Sequence, residues 1–88
     1  MSLNTLCKAF GNPERVQLIV CLSRKTTVSD LLGKCHMSQS ALSQHLAILR
    51  DAGVVTAHRE GRYVQYKSSS HEYVKLAKAI IHLTNKKI

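Results

Sequence analysis

Residues 38–55, SQSALSQHLAILRDAGVV, decide how this chain reads. Leu42, Leu46 and Leu49 recur at i, i+4 and i+7, an apolar stripe of helical period. Ser38 stands just ahead of it as an N-cap, and Gly53 just beyond it as a left-handed stop, since glycine enters that conformation without a Cβ clash. The polar side of the same helix carries Gln39, Ser40, Ser43 and Gln44, all uncharged. That choice is informative in a chain with 13 Lys plus Arg against 5 Asp plus Glu and a formal charge of +8. An ordinary solvated face prefers Lys and Glu. Hydroxyls and amides suit a helix pressed into a major groove, where phosphate repels carboxylates and glutamine bonds adenine in a bidentate pair. The competing reading is a polar surface with no partner. His45 follows this face and is read either as a base contact or as packing against the hairpin downstream.

Upstream, Thr27 with Asp30 three residues on approximates a capping box and opens a short helix burying Val28, Leu31, Leu32 and Cys35. Gly33 lowers its helicity, and His36-Met37-Ser38 leads directly into the next cap. Two helices so close make a helix-turn-helix candidate. Further back, Asn12, Pro13 and Glu14 read as N-cap, first helical residue and first-turn acid of a largely buried helix running to about Ser23. Leu3, Leu6 and Phe10 mark a brief first helix that stops at Gly11.

Downstream, Val54 to Ala57 and Tyr63 to Lys67 are β-branched or aromatic runs around His58-Arg59-Glu60-Gly61-Arg62, a hairpin with a charged tip. Arg59 and Arg62 are placed there to reach phosphate or a narrow minor groove, the alternative being a solvated turn. Lys34 and Arg50 are weaker phosphate candidates. From Ser70 onward Tyr73, Val74, Leu76, Ala77, Ala79, Ile80, Ile81 and Leu83 surround most of a last helix. That apolar face is wider than one small core needs, which predicts a dimer surface.

The expected fold is therefore mostly α with a small β-hairpin, a winged helix-turn-helix in the order α-α-α-α-β-β-α, as a single domain over 1–88. A chain this short buries only about 60–65% of its unfolded surface, which again favours oligomerisation. Its hydrophobic fraction of 44% argues against disorder as the source of the charge. Cys7, Cys21 and Cys35, an odd number spaced fourteen apart, match neither a zinc pattern nor a secreted disulfide framework, so a reducing cytoplasm is expected. No apolar run approaches a spanning helix, and no secretion signal is expected at the N-terminus. The basic balance favours a polyanion, nucleic acid ahead of an anionic membrane. No Cys and His stand in a pattern naming a nucleophile and a base, so no enzyme is expected.

With the run at 38–55 followed by EGRYVQYK and preceded by NPERVQLIVCL, the chain resembles the ArsR/SmtB family of bacterial transcriptional repressors over nearly its whole length. The resemblance implies a homodimer built on the first and last helices, here through Leu3, Leu6, Phe10, Tyr73, Val74, Ala77, Ile80 and Ile81. It implies that the helix from Ser38 to Ala52 enters the major groove of double-stranded DNA, a palindromic operator, with the hairpin as a wing. Many members release DNA on binding a ligand. The arsenic-sensing pattern of Cys-x-Cys in the third helix is missing, since Thr26 to Asp30 hold no cysteine. Of the zinc-sensing pattern His71 and His82 are present, eleven apart, but Ser69 and Asn85 stand where further ligands belong. No cofactor is required. Zinc or another divalent metal is the candidate, against polar histidines at a dimer edge. Thiol sensors of the family share Cys21, yet their partner position is Asn85 here. Cys7 is read as a pair with its symmetry mate or as a free thiol, Cys35 as a buried inert one. His36 and His58 carry no signal. The competing function is a non-specific, architectural nucleic-acid-binding dimer with no sensed ligand.

Overall fold

Four short polar side chains set where the helices begin. Ser2, Asn12, Thr27 and Ser38 all have extended backbone, and each side-chain oxygen accepts the backbone N–H three residues on, from Thr5, Arg15, Asp30 and Ala41. Each thereby satisfies one of the four amide donors that a helix start leaves without a partner. In this computed structural model, which describes residues 1–85, the elements are α1 (Leu3–Phe10), α2 (Pro13–Cys21), β1 (Thr26–Thr27), α3 (Val28–Lys34), α4 (Gln39–Asp51), β2 (Val55–Glu60), β3 (Tyr63–Ser68) and α5 (His71–Asn85). The expected winged helix-turn-helix order is present, with one strand added.

That strand is β1, which pairs antiparallel with β3 through Thr26 opposite Tyr66 and Thr27 opposite Gln65. The sheet is three-stranded in the order β1-β3-β2, not a bare hairpin. The hairpin is also longer and its turn tighter than expected. Val55 pairs with Ser68 at one end and Glu60 with Tyr63 at the other, so His58, Arg59 and Glu60 belong to β2 and only Gly61 and Arg62 make the turn. Gly61 has φ 60° while Arg62 keeps a negative φ. Glycine at the first of two central positions is the II′ pattern, whose twist matches that of the flanking strands.

Gly53 ends α4 as its position predicts, with φ 79°. Its N–H donates to the Arg50 carbonyl at 2.9 Å and the Val54 N–H to the Leu49 carbonyl at 2.9 Å. These are the two bonds of a Schellman motif, and Leu49 and Val54, both fully buried, supply its apolar contact. The chain thus turns from α4 directly into the wing. Ser69 fastens the far end of the wing to the same point, its hydroxyl donating to the carbonyls of Gly53 at 2.6 Å and Val54 at 3.0 Å.

The core gathers Leu18, Ile19 and Leu22 from α2 and its end, Leu31 from α3, the three leucines of α4, Val54 and Val55 from the start of the wing, and Val74 and Ala77 from α5. The last two require a correction. Val74 and Ala77, expected at a dimer surface, are 1% and 0% exposed within the single chain, where α5 packs along α2. Their burial needs no second copy. Apolar surface remains at Leu3, Leu76 and Leu83, all exposed, and at half-buried Leu6, Phe10, Tyr73, Ile80 and Ile81.

Candidate nucleic-acid interface

Burial of Leu42, Leu46 and Leu49 fixes the rotation of α4 and turns its other side to solvent. Gln39, Ser40, Ser43 and Gln44 are all exposed there, so the four side chains singled out by their lack of charge do share an open face. Ala47 lies at its centre by helical geometry, about 80° around from Gln39 at 3.6 residues per turn, and is half-exposed. Sequence reasoning passed over it because alanine carries no polar signal. Its small size lets the helix backbone approach a surface closely, and its methyl suits contact with a thymine methyl. No acid stands in the first turn of α4, so the partial positive charge of its N-terminus is uncompensated.

His45 does not belong to this face. It lies about 170° around the helix from the centre of the four polar residues, and its side chain is only 15% exposed. Nδ1 sits 3.4 Å from Arg15 Nη1, and Nε2 3.3 Å from Glu14 Oε2. Arginine offers only donors, so Nδ1 accepts and the ring proton is on Nε2, facing the carboxylate. The expected base contact is corrected to a tie between α4 and α2.

Arg15, absent from the sequence-based candidates, is the centre of that tie. Its Nε donates to the Ala9 carbonyl at 3.1 Å and Nη2 to the Lys8 carbonyl at 2.7 Å. Both carbonyls lie in the last turn of α1, where a helix leaves carbonyls short of partners, and the Lys8 carbonyl otherwise accepts the long 3.3 Å bond from the Gly11 N–H. One guanidinium therefore locks the end of α1, the start of α2 and the middle of α4 together. No sequence signal marks it, because an arginine in a first helical turn reads as solvated.

On the wing, Arg59 and Arg62 are both exposed, and neither makes an ion pair among the described residues. Glu60 between them is occupied by Lys25 at 3.4 Å and, more loosely, by His58 at 3.9 Å. The tip's one carboxylate is thus partly neutralised from its own side. Tyr63 beside Arg62 is 59% exposed, a large aromatic at the tip that the sequence reading counted only as a strand former. Lys34 and Arg50 are exposed as well.

Within one chain the sensing candidates separate. His71 and His82 are both exposed on α5, and eleven residues of helix put them about 16 Å apart along its axis. The Ser69 hydroxyl is committed to two backbone carbonyls. Among the described residues no group of three or more His, Cys, Asp or Glu side chains is placed to hold a metal ion. These residues do not fit a closed zinc shell in a single chain. Cys7 is exposed on α1, and Cys21 and Cys35 are half-buried. Burial, and then the neighbouring Cys21, push the Cys35 thiol up from its ordinary value, while Lys34 acts the other way.

Residues 12–57, from the cap of α2 into the wing, match the family model described as bacterial regulatory protein, arsR family. The chain belongs to the ArsR family. It is 40% identical over 82 residues to the transcriptional activator HlyU of Vibrio cholerae, covering 92% of this chain and 72% of HlyU. It is 39% identical over 67 residues to the HTH-type transcriptional repressor SmtB of Mycobacterium tuberculosis, covering 75% of this chain and 50% of SmtB. The solved structure of HlyU from Vibrio cholerae shares the fold with a TM-score of 0.80 at 35% identity, covering 98% of this chain and all of that one. An ArsR-family chain is a sequence-specific DNA-binding transcriptional regulator, not an enzyme. Membership leaves the direction of regulation open, since an activator and a repressor stand among its relatives. No helix among the described residues is long and apolar enough to cross a membrane.

Proposed function

We propose that this chain is a single-domain, cytoplasmic repressor that works as a homodimer on a palindromic operator. Each α4 enters a major groove, with successive grooves about one helical turn apart. Gln39, Ser40, Ser43 and Gln44 meet base edges there, and Ala47 allows the close approach. Arg59 and Arg62 reach phosphate or the adjacent minor groove from the wing. One observation carries the reading: four uncharged hydrogen-bonding side chains share the open face of a capped helix with no acid in its first turn, in a chain of charge +8. Apolar Leu3, Leu76 and Leu83, with half-buried Phe10, Tyr73, Ile80 and Ile81, support a dimer through α1 and α5. Repression, by covering a promoter, is favoured by the likeness to SmtB.

Fluorescence anisotropy on duplex from upstream of the chain's own gene, with scrambled duplex at the same salt, tests this. Gln44→Ala is expected to lose about 1–3 kcal/mol of discrimination between the two duplexes. Arg62→Ala is expected to weaken both about equally and to flatten the salt dependence. Equal losses on both duplexes for Gln44→Ala would refute base reading and leave a non-specific nucleic-acid binder. Sedimentation equilibrium reads the dimer, and in vitro transcription from the bound promoter reads the sign of regulation.

A further inference from the structure

Cys21 closes α2 and Cys35 caps the end of α3, and the fold brings both to one place on the surface. Both line one shallow surface cavity of about 310 Å³, with Lys34 and His36 at its wall. Both are half-buried, so a small molecule reaches them while bulk solvent is largely kept away. Among the described residues no third ligating side chain joins them in a metal-holding group. Two adjacent thiols without a third ligand retain one characteristic reaction, oxidation to a disulfide. The position of the pair gives that reaction a consequence. Cys35 is three residues ahead of Ser38, whose hydroxyl caps the recognition helix α4.

We propose that Cys21 and Cys35 are a reversible dithiol–disulfide site, oxidised by peroxides, whose state sets the position of α4. In the first step one sulfur, as its thiolate, attacks a peroxide oxygen. The O–O bond breaks, the alcohol or water leaves with the proton the thiol gave up, and a sulfenic acid forms. The second thiol attacks that sulfur, the S–O bond breaks, and hydroxide leaves as water with the second proton. Two thiols lose two electrons, and the peroxide, reduced by the same two, becomes an alcohol and water. Exchange with a free thiol reverses the change. Closing the bond brings the two sulfurs to about 2.05 Å. The turn 35–38 is drawn toward α2, and the 2.8 Å bond from the Cys35 N–H to the Leu31 carbonyl and the start of α4 move with it.

The affinity readout of this site rests on α4 being the DNA-reading helix, so the test includes readouts that do not. Full-length protein carrying Cys7→Ser, which removes the exposed thiol and any cross-linking through it, is reduced and then treated with hydrogen peroxide. Non-reducing peptide mapping is expected to show Cys21 linked to Cys35 within one chain, with both hydrogens lost. Amide exchange over 36–42 is expected to change. Affinity for the upstream duplex is expected to fall about tenfold, within the usual range for coupled sites, and all three changes are expected to reverse with dithiothreitol. Adding Cys35→Ser, or Cys21→Ser should that variant not fold, is expected to abolish them. Sulfinic acid without the linkage would overturn the proposal, as would a linkage that leaves exchange over 36–42 and affinity unchanged. If reduced protein does not prefer the upstream duplex over scrambled DNA, the operator reading fails, while linkage and amide exchange still decide this site.

Discussion

Replacing Arg15 by Met keeps the aliphatic stem of the side chain and removes only its guanidinium, which isolates the tie between α1, α2 and α4. Three contacts are lost. The bond to the Ala9 carbonyl is partly buried, and losing a charge-assisted bond of that kind costs about 1.5 kcal/mol. The shorter bond to the Lys8 carbonyl is exposed, so water replaces it and the cost is about 0.5 kcal/mol. The contact with His45 is long at 3.4 Å and adds about as little. The sum is about 2 kcal/mol, which lowers Tm by about 8–16 °C in a domain of this size. Urea unfolding at fixed protein concentration, followed by circular dichroism, reads the loss in the midpoint at constant slope. His45→Ala is expected to show a smaller loss of the same kind and an unchanged ratio of affinities for operator and scrambled DNA. A stability change under about 0.5 kcal/mol for Arg15→Met, or a collapse of discrimination in folded His45→Ala, would refute the assignment of these residues to structure.

Leu49→Ala empties a fully buried site and removes the apolar contact of the Schellman motif, so a loss of about 3 kcal/mol is expected from urea unfolding. For Cys35, whose thiol is held above its ordinary value of 9.0 by burial and Cys21, the folded chain keeps a proton that the unfolded chain gives up. Its contribution is complete below pH 9.0 and is lost as pH rises through the folded value. Unfolding midpoints are therefore expected to fall more steeply above that pH in the parent than in Cys35→Ser. Zinc is expected to leave operator affinity where chelator leaves it, because His71 and His82 lie far apart on α5 and Ser69 is engaged; a zinc-dependent loss abolished by replacing both histidines would show a site completed by a second chain.

The helix starts were legible because a cap is local: Asn12, Thr27 and Ser38 act on amides three residues away. The axis and open face of α4 followed from three leucines for the same reason. Contacts made across the chain were not legible. Two-residue β1 is too short to show a period, and its partners on β3 lie about forty residues on. A helix apolar around most of its girth, such as α5, does not reveal which side meets its own core, and Val74 and Ala77 were misplaced accordingly. His45 was grouped with its chain neighbours, although helical geometry puts it on the opposite side. That Cys35 shares a cavity with the end of α2 was not legible either, because nothing in the order of residues announces it.

The strand order β1-β3-β2 leaves β2 with one side unpaired along all six of its residues. A free edge of that length is a template on which another extended chain can add itself. Here the edge carries His58, Arg59 and Glu60 in succession and ends at Arg62. A second copy laid alongside would strip these charges of water and, in parallel register, set Arg59 against Arg59 and Glu60 against Glu60. The side chains that suit the wing to a polyanion thus also guard it against polymerisation. Neutralising them to weaken DNA binding would trade a loss of affinity for a gain in insolubility, and a variant carrying several such changes is better judged by its light scattering before its affinity is read.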